Sequence, residues 1–235
     1  MQKYNDRGKL PAYVFNRDYR KNYEMKKPIT LFYAARSRSL TVYMMLEELG
    51  VPYELKVLNL TKGEHKKPEY LKINPMGKVP AIKIGDEIVF ETPAICCYLA
   101  DLFPEKNLSI SLDSGRRGEY LKWLFFTSAC LEPAVIDHIL KRDNPDPGSI
   151  GYGTLGKTVS TIEQSLKDRT WIMGDTFSAA DVVLGSTVYW AKMVGAVKKD
   201  SILDAYAIRL SQREAHQRTI AVDNELFEKN QKQLD

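Results

Sequence analysis

The sequence predicts a two-part chain, an α/β domain followed by an all-α domain, and three observations carry that prediction. Short β-favouring runs alternate with helical ones up to about residue 104. A stretch rich in Pro, Asn, Ser and Gly then intervenes, and beyond it apolar residues recur only on a helical period. At 235 residues and 44% hydrophobic content, the chain can bury one large core or two modest ones.

The elements follow in order. Ile29-Thr30-Leu31-Phe32-Tyr33 is a β-favouring run and reads as the first strand. Leu40 to Leu49 reads as a helix whose inward stripe is Val42, Met45, Leu46 and Leu49, closed by Gly50. Tyr53 to Leu60 alternates as a second strand. Thr61 to Lys72 is polar, with one weak helical stretch at Pro68-Glu69-Tyr70-Leu71. Next comes Ile73-Asn74-Pro75-Met76-Gly77-Lys78-Val79-Pro80, then two apolar runs, Ala81 to Ile84 and Ile88 to Phe90, split by a Gly-Asp turn that predicts a hairpin. Thr92 reads as an N-cap, Pro93 as the first helical residue, and Ala94 to about Phe103 as a buried helix.

The second half is predicted to be helical throughout. Glu119 to Leu140 and Thr154 to Leu166 are periodic and are separated by the Pro/Asp/Gly-rich stretch 143–153. Ser178 followed by Asp181 reads as a capping box, with Phe177 placed to staple onto Val182, ahead of a helix running to about Met193 that is apolar nearly all round. The expected organisation is an N-terminal extension over 1–27, mobile and basic; an α/β domain over 28–104; a linker over 105–115; a helical domain over 116–222; and a polar C-terminal tail over 223–235.

Two segments point to a site. A proline at the mouth of a strand occupies an edge or a turn, and an X-Pro bond is where a cis peptide is cheap. A cis bond after Val79 would turn that residue's N–H and C=O outward as an unused strand edge, able to pair with an extended peptide. Eleven residues beyond Pro80, Glu91-Thr92-Pro93 opens a helix whose amides and positive dipole end would face an anion.

These motifs, together with the βαβ-ββα order, resemble the thioredoxin-like domain of cytosolic glutathione transferases, of Ser-type and bacterial-like, over about residues 28–220. The resemblance implies a thioredoxin-like α/β domain plus an all-α domain, the glutathione transferase fold. It also implies that Val79 and Pro80 meet the cysteinyl backbone of glutathione, that Glu91 and Thr92 take its γ-glutamyl end, and that Lys78 meets the glycyl carboxylate. The thiol donor falls in Ala34-Ala35-Arg36-Ser37-Arg38-Ser39. Ser37 is the first candidate and Ser39 the second, each of which would otherwise serve as a helix cap. That stretch holds neither Cys nor Tyr, which argues against a cysteine-type thiol exchanger. Tyr120, Trp123 and Phe126 are the expected aromatic surface for a small apolar electrophile, and helical core is the competing reading.

Composition narrows the classes. Residues 1–27 hold eight Lys/Arg against three Asp/Glu, so the net charge of +4 sits at one end and the remainder is near neutral. No basic face for nucleic acid is expected on the folded body. No apolar run approaches the roughly 18 residues that cross a bilayer, and no membrane partner is expected. Cys96, Cys97 and Cys130 form no disulfide framework, and with His65, His138 and His216 they lack metal-ligand spacing, so no metal is expected and a reducing cytoplasm is the expected location. The function the sequence supports is attack by glutathione thiolate on an electrophile in detoxification chemistry, with a homodimer implied by the resemblance. A non-catalytic module binding glutathione or a protein, and a glutathione-dependent isomerase, dehalogenase or lyase, remain open beside it.

Overall fold

Four strands form one mixed sheet in the order β2-β1-β3-β4 in a computed structural model that describes residues 28–142 and 146–231. β1 (Ile29–Tyr33) pairs parallel with β2 (Tyr53–Val57), with α1 (Ser39–Leu49) crossing between them. Parallel neighbours require such a crossover. β3 (Ala81–Ile84) runs antiparallel to β1, and β4 (Glu87–Phe90) antiparallel to β3 across Gly85-Asp86. α3 (Thr92–Leu102) then packs back against α1. This is the thioredoxin-like arrangement expected. The extension over 1–27 lies outside the described residues.

The stripe predicted for α1 is buried, and so are Tyr43 and Met44. Both faces are covered because α1 lies between the sheet and the helices that come later in the chain. Gly50 closes α1 in the left-handed conformation, its N–H donating to the Leu46 carbonyl at 3.0 Å. The opposite face of the sheet is covered by α2 (Pro68–Leu71), where Tyr70 packs on Phe32 with ring centroids 5.5 Å apart.

The linker contains one 3-10 turn, Pro104–Lys106, and is fastened to the second domain where Ala179 N–H donates to the Leu108 carbonyl at 2.8 Å. α4 (Arg117–Phe126) passes through a wide π-type turn, Thr127–Leu131, into α5 (Glu132–Leu140). Pro133 has no N–H to return to the carbonyl four residues back, and its ring crowds that carbonyl, so the turn before it opens. An 18-residue window within helical Arg117–Leu140 reaches a mean hydropathy of 1.2, so by length and composition alone it would pass for a span. Tyr120, Trp123, Leu124, Leu131 and Val135 on it belong to the protein core.

Thr154 caps α6 (Leu155–Leu166) by accepting from Lys157 N–H at 3.2 Å. Ser178 caps α7 (Ala179–Met193), and the buried Asp181 carboxylate accepts from Ser178 N–H at 3.0 Å, as the capping box predicts. Asp181 also accepts from Ile172 N–H at 2.7 Å and Tyr206 O–H at 2.8 Å, so one carboxylate joins three segments. Phe177 packs edge-on to Trp171, with centroids 4.8 Å apart. α8 (Ile202–Ser211) crosses α7 at Gly185, and α9 (Glu214–Gln231) packs on α1.

The tail expected from residue 223 is corrected by α9, which continues to Gln231 with Asp223 fully buried. Its inward stripe is Ala215, His216, Thr219, Asp223 and Leu226, too polar to register as a core-facing period.

Candidate active site

Strand register brings three separate sequence segments to one end of the sheet. Phe32 pairs with Ala81, and Ala81 with Phe90. The chain leaving β1 toward Ser37, the Val79-Pro80 pair entering β3, and the Glu91-Thr92 pair leaving β4 are therefore neighbours.

The Val79–Pro80 bond is cis, and Pro80 is buried. The turn before it is built from below: Tyr70 O–H donates to the Lys78 carbonyl at 2.5 Å and Asn74 Nδ2 to the same oxygen at 2.8 Å. Gly77 takes φ 61°, and an added Cβ would lie 3.1 Å from the His65 carbonyl oxygen. Val79 itself makes no main-chain hydrogen bond among the described residues. The Lys78 side chain is exposed beside it.

Glu91 is the cap residue of α3, with φ 76° and ψ 113°, and Thr92 is the first helical residue. The cap therefore stands one position earlier than the predicted Thr92, and Pro93 is at the second helical position. A non-glycine residue at such a φ stores strain of about 1–3 kcal/mol. That conformation turns the chain sharply from β4 into α3 and leaves the Glu91 and Thr92 side chains without hydrogen bonds among the described residues.

The loop after β1 is closed by a small hydroxyl network. Ser39 is fully buried, donating to the Ala34 carbonyl at 2.9 Å and accepting from Ala34 N–H at 3.0 Å. The hydroxyl of Ser39, the second choice for thiol donor, thus holds the loop closed through Ala34. Ser37 is half-buried, with its Oγ 2.7 Å from the Ala34 carbonyl and 2.6 Å from Ser39 Oγ. With Ser39 already serving that carbonyl, the Ser37 proton can turn outward without leaving an acceptor bare.

Two arginines flank Ser37, and each reaches the helical domain. Arg36, at φ 58°, donates its N–H to Asp223 Oδ1 at 3.0 Å and its Nη2 to Asn224 at 2.7 Å, and lies over Phe227. Asp223 also accepts from the Tyr33 hydroxyl. Burial first, then the Asp223 charge, push the Tyr33 phenol far above its usual range, so it stays protonated and turned inward. Arg38 donates Nε to Glu132 at 2.7 Å, just past the wide turn between α4 and α5, and stacks over the α7 residue Trp190 at 4.0 Å.

Of the predicted aromatic surface, two residues are core rather than exposed surface. Tyr120 and Trp123 are fully buried core, and Phe126 is half-buried against Trp123 at 5.5 Å. Beside Ser37, Arg36 meets Asn224 and Phe227, and Arg38 meets Glu132 and Trp190. No local motif in the sequence marked Glu132, Trp190, Asn224 or Phe227 as neighbours of this loop. Burial pushes all three free thiols, Cys96, Cys97 and Cys130, upward, so none is an acidic nucleophile. Among the described residues no three His, Cys, Asp or Glu side chains group as a metal site.

Comparison with known proteins converges on one family. Residues 27–101 match the profile described as glutathione S-transferase, N-terminal domain, and residues 134–210 the corresponding C-terminal domain. The chain is 30% identical over 167 residues to glutathione S-transferase GstA of Escherichia coli O157:H7, covering 70% of this chain and 83% of that one. It is 28% identical over 184 residues to glutathione S-transferase GST-4.5 of Xanthomonas campestris, covering 73% and 87%. Among solved structures, a glutathione transferase from Methylococcus capsulatus superposes with a TM-score of 0.72 at 27% identity, over 83% of this chain and 98% of that one.

Proposed function

The chain belongs to the glutathione S-transferase family, and we propose that it binds glutathione along Val79 and at the α3 N-terminus and presents the thiolate beside Ser37 to a small electrophile. The observation that carries this reading is the convergence, at one sheet end, of a main-chain edge, an open helix N-terminus and a hydroxyl that can turn outward. Val79 N–H and C=O pair with the cysteinyl backbone as an added strand would. Thr92, the amides of α3 and Glu91 take the γ-glutamyl end, Glu91 accepting from its ammonium and the amides donating to its carboxylate. Lys78 meets the glycyl carboxylate.

A free thiol with pKa about 8.5 is only a few per cent thiolate at neutral pH. Lowering it by about two units corresponds to roughly 2.7 kcal/mol favouring the anion. The Ser37 O–H, turned from the Ala34 carbonyl to the sulfur, supplies one hydrogen bond to a charged acceptor, worth about 1.5–3 kcal/mol. The thiolate then attacks the electrophilic carbon, the S–C bond forms as the leaving group departs with its electron pair, and proximity contributes to the rate. A homodimer in a reducing cytoplasm completes the proposal.

The test is titration of thiolate absorbance in the glutathione complex. The bound thiol is expected to titrate about two units below free glutathione, and Ser37→Ala to return it toward the free value. An unchanged pKa in the variant would reduce Ser37 to a loop-closing residue. Retention on immobilised glutathione without conjugation across an electrophile panel would favour a binding module.

A further inference from the structure

Resting on the glutathione-site reading above, we propose that Arg38 sets substrate specificity by seating a carboxylate of the electrophile on its outer guanidinium edge. The residue follows Ser37 directly and occupies the N-cap of α1, and its side chain reaches Glu132 of α5 and Trp190 of α7. Its Nε donates to Glu132 Oε1 at 2.7 Å and one of its faces lies 4.0 Å over Trp190, while 39% of the side chain stays exposed. Those two contacts lock the guanidinium plane and leave the Nη1 and Nη2 groups without hydrogen bonds among the described residues.

Other arginines of the chain show what a purely structural tether does. Arg213 grips Glu48 with two parallel bonds, at 2.6 and 2.7 Å, and Arg117 grips Asp101 at 2.8 and 2.6 Å. Both use the fork for the protein's own carboxylate. Arg36 spends Nη2 on Asn224 and sets Nη1 3.4 Å from Asp223. Arg38 makes a single bond through Nε and keeps the two-donor edge that matches a planar carboxylate. Stacking on an indole keeps that edge oriented without consuming its donors.

Binding of product conjugates isolates this claim from chemistry. The probes are S-(4-carboxy-2-nitrophenyl)glutathione and its methyl ester, titrated calorimetrically against the full chain. The carboxylate is expected to bind the wild type about tenfold more tightly than the ester. In Arg38→Gln the ratio is expected to fall to about one, with ester and glutathione affinities within about threefold of wild type. Glu132→Gln, which removes the competing carboxylate, is expected to keep or widen the preference. Should Arg38→Gln fail to fold, Arg38→Lys supplies the readout, with an expected ratio well below wild type because the paired donors are lost. A wild-type ratio near one with glutathione binding intact overturns the inference, as does a ratio that survives in either Arg38 variant. Absence of binding by glutathione itself overturns the underlying site reading instead, and the inference with it.

Discussion

Replacing Asp223 with alanine removes the acceptor that joins α9 to the end of β1. The fully buried Tyr33 hydroxyl and the Arg36 N–H, at 3.0 Å, both donate to Asp223 Oδ1. Hydrogen bonds to a charged partner contribute about 1.5–3 kcal/mol each, and a buried donor left bare costs about 1–3 kcal/mol. The Arg36 guanidinium is about half exposed, so its 3.4 Å ion pair with Asp223 adds less than about 1 kcal/mol. The expected loss for Asp223→Ala is about 3–5 kcal/mol, a large fraction of a typical folding free energy. Asp223→Asn keeps an acceptor oxygen and is expected to cost about 1–2 kcal/mol. The assay is urea unfolding followed by tryptophan fluorescence, with Tyr33→Phe completing a double-mutant cycle whose coupling should reach about 1–2 kcal/mol. If Asp223→Ala stays within about 0.5 kcal/mol of wild type and shows no coupling to Tyr33, the reasoning is refuted and residue 223 behaves as the tail that its composition suggests.

Glu91→Gly is expected to hold or raise stability by up to about 1 kcal/mol, because glycine adopts φ 76° without strain, while glutathione affinity falls at least several-fold; thermal unfolding beside calorimetry separates the two effects. Burial beside Tyr189 lowers the His216 pKa below its usual value, so the folded state binds fewer protons than the unfolded chain. Stability should therefore be fully present above about pH 6.5 and decline as pH falls through the depressed value, a slope that His216→Gln should flatten in urea titrations at stepped pH. At the crossing of α7 and α8, a Cβ on Gly185 would lie 3.0 Å and 3.1 Å from the two Leu210 methyls. Gly185→Ala should cost about 1 kcal/mol and Gly185→Val about 3 kcal/mol, with Leu210→Ala partly rescuing the valine variant; equal stability of all three would show that the helices part freely.

Much of the candidate site was legible because it depends on short-range chemistry. The turn from Asn74 to Pro80, the hairpin and the proline at the start of α3 are set by residues within a few positions of one another, and the structure reproduces each to within a residue. Ser37 was legible as a hydroxyl at a helix start, but nothing local distinguished it from Ser39. Burial separates the two hydroxyls: Ser39 is closed under the loop against Ala34, while Ser37 is only half-buried.

The sequence by itself determined two domains, their order, the capping box that starts α7 and the family resemblance, since periodicity, caps and turn residues act over neighbouring positions. Only the tertiary structure decided that Tyr120 and Trp123 are core, that Trp190 and Glu132 meet Arg38, and that Asp223 ties the last helix to Tyr33 across 190 residues of sequence. A helical period states which residues share a face; it does not state what that face meets. A polar inward stripe such as that of α9 becomes interpretable only once its partners, Tyr33 and Arg36, have been brought to it by the fold.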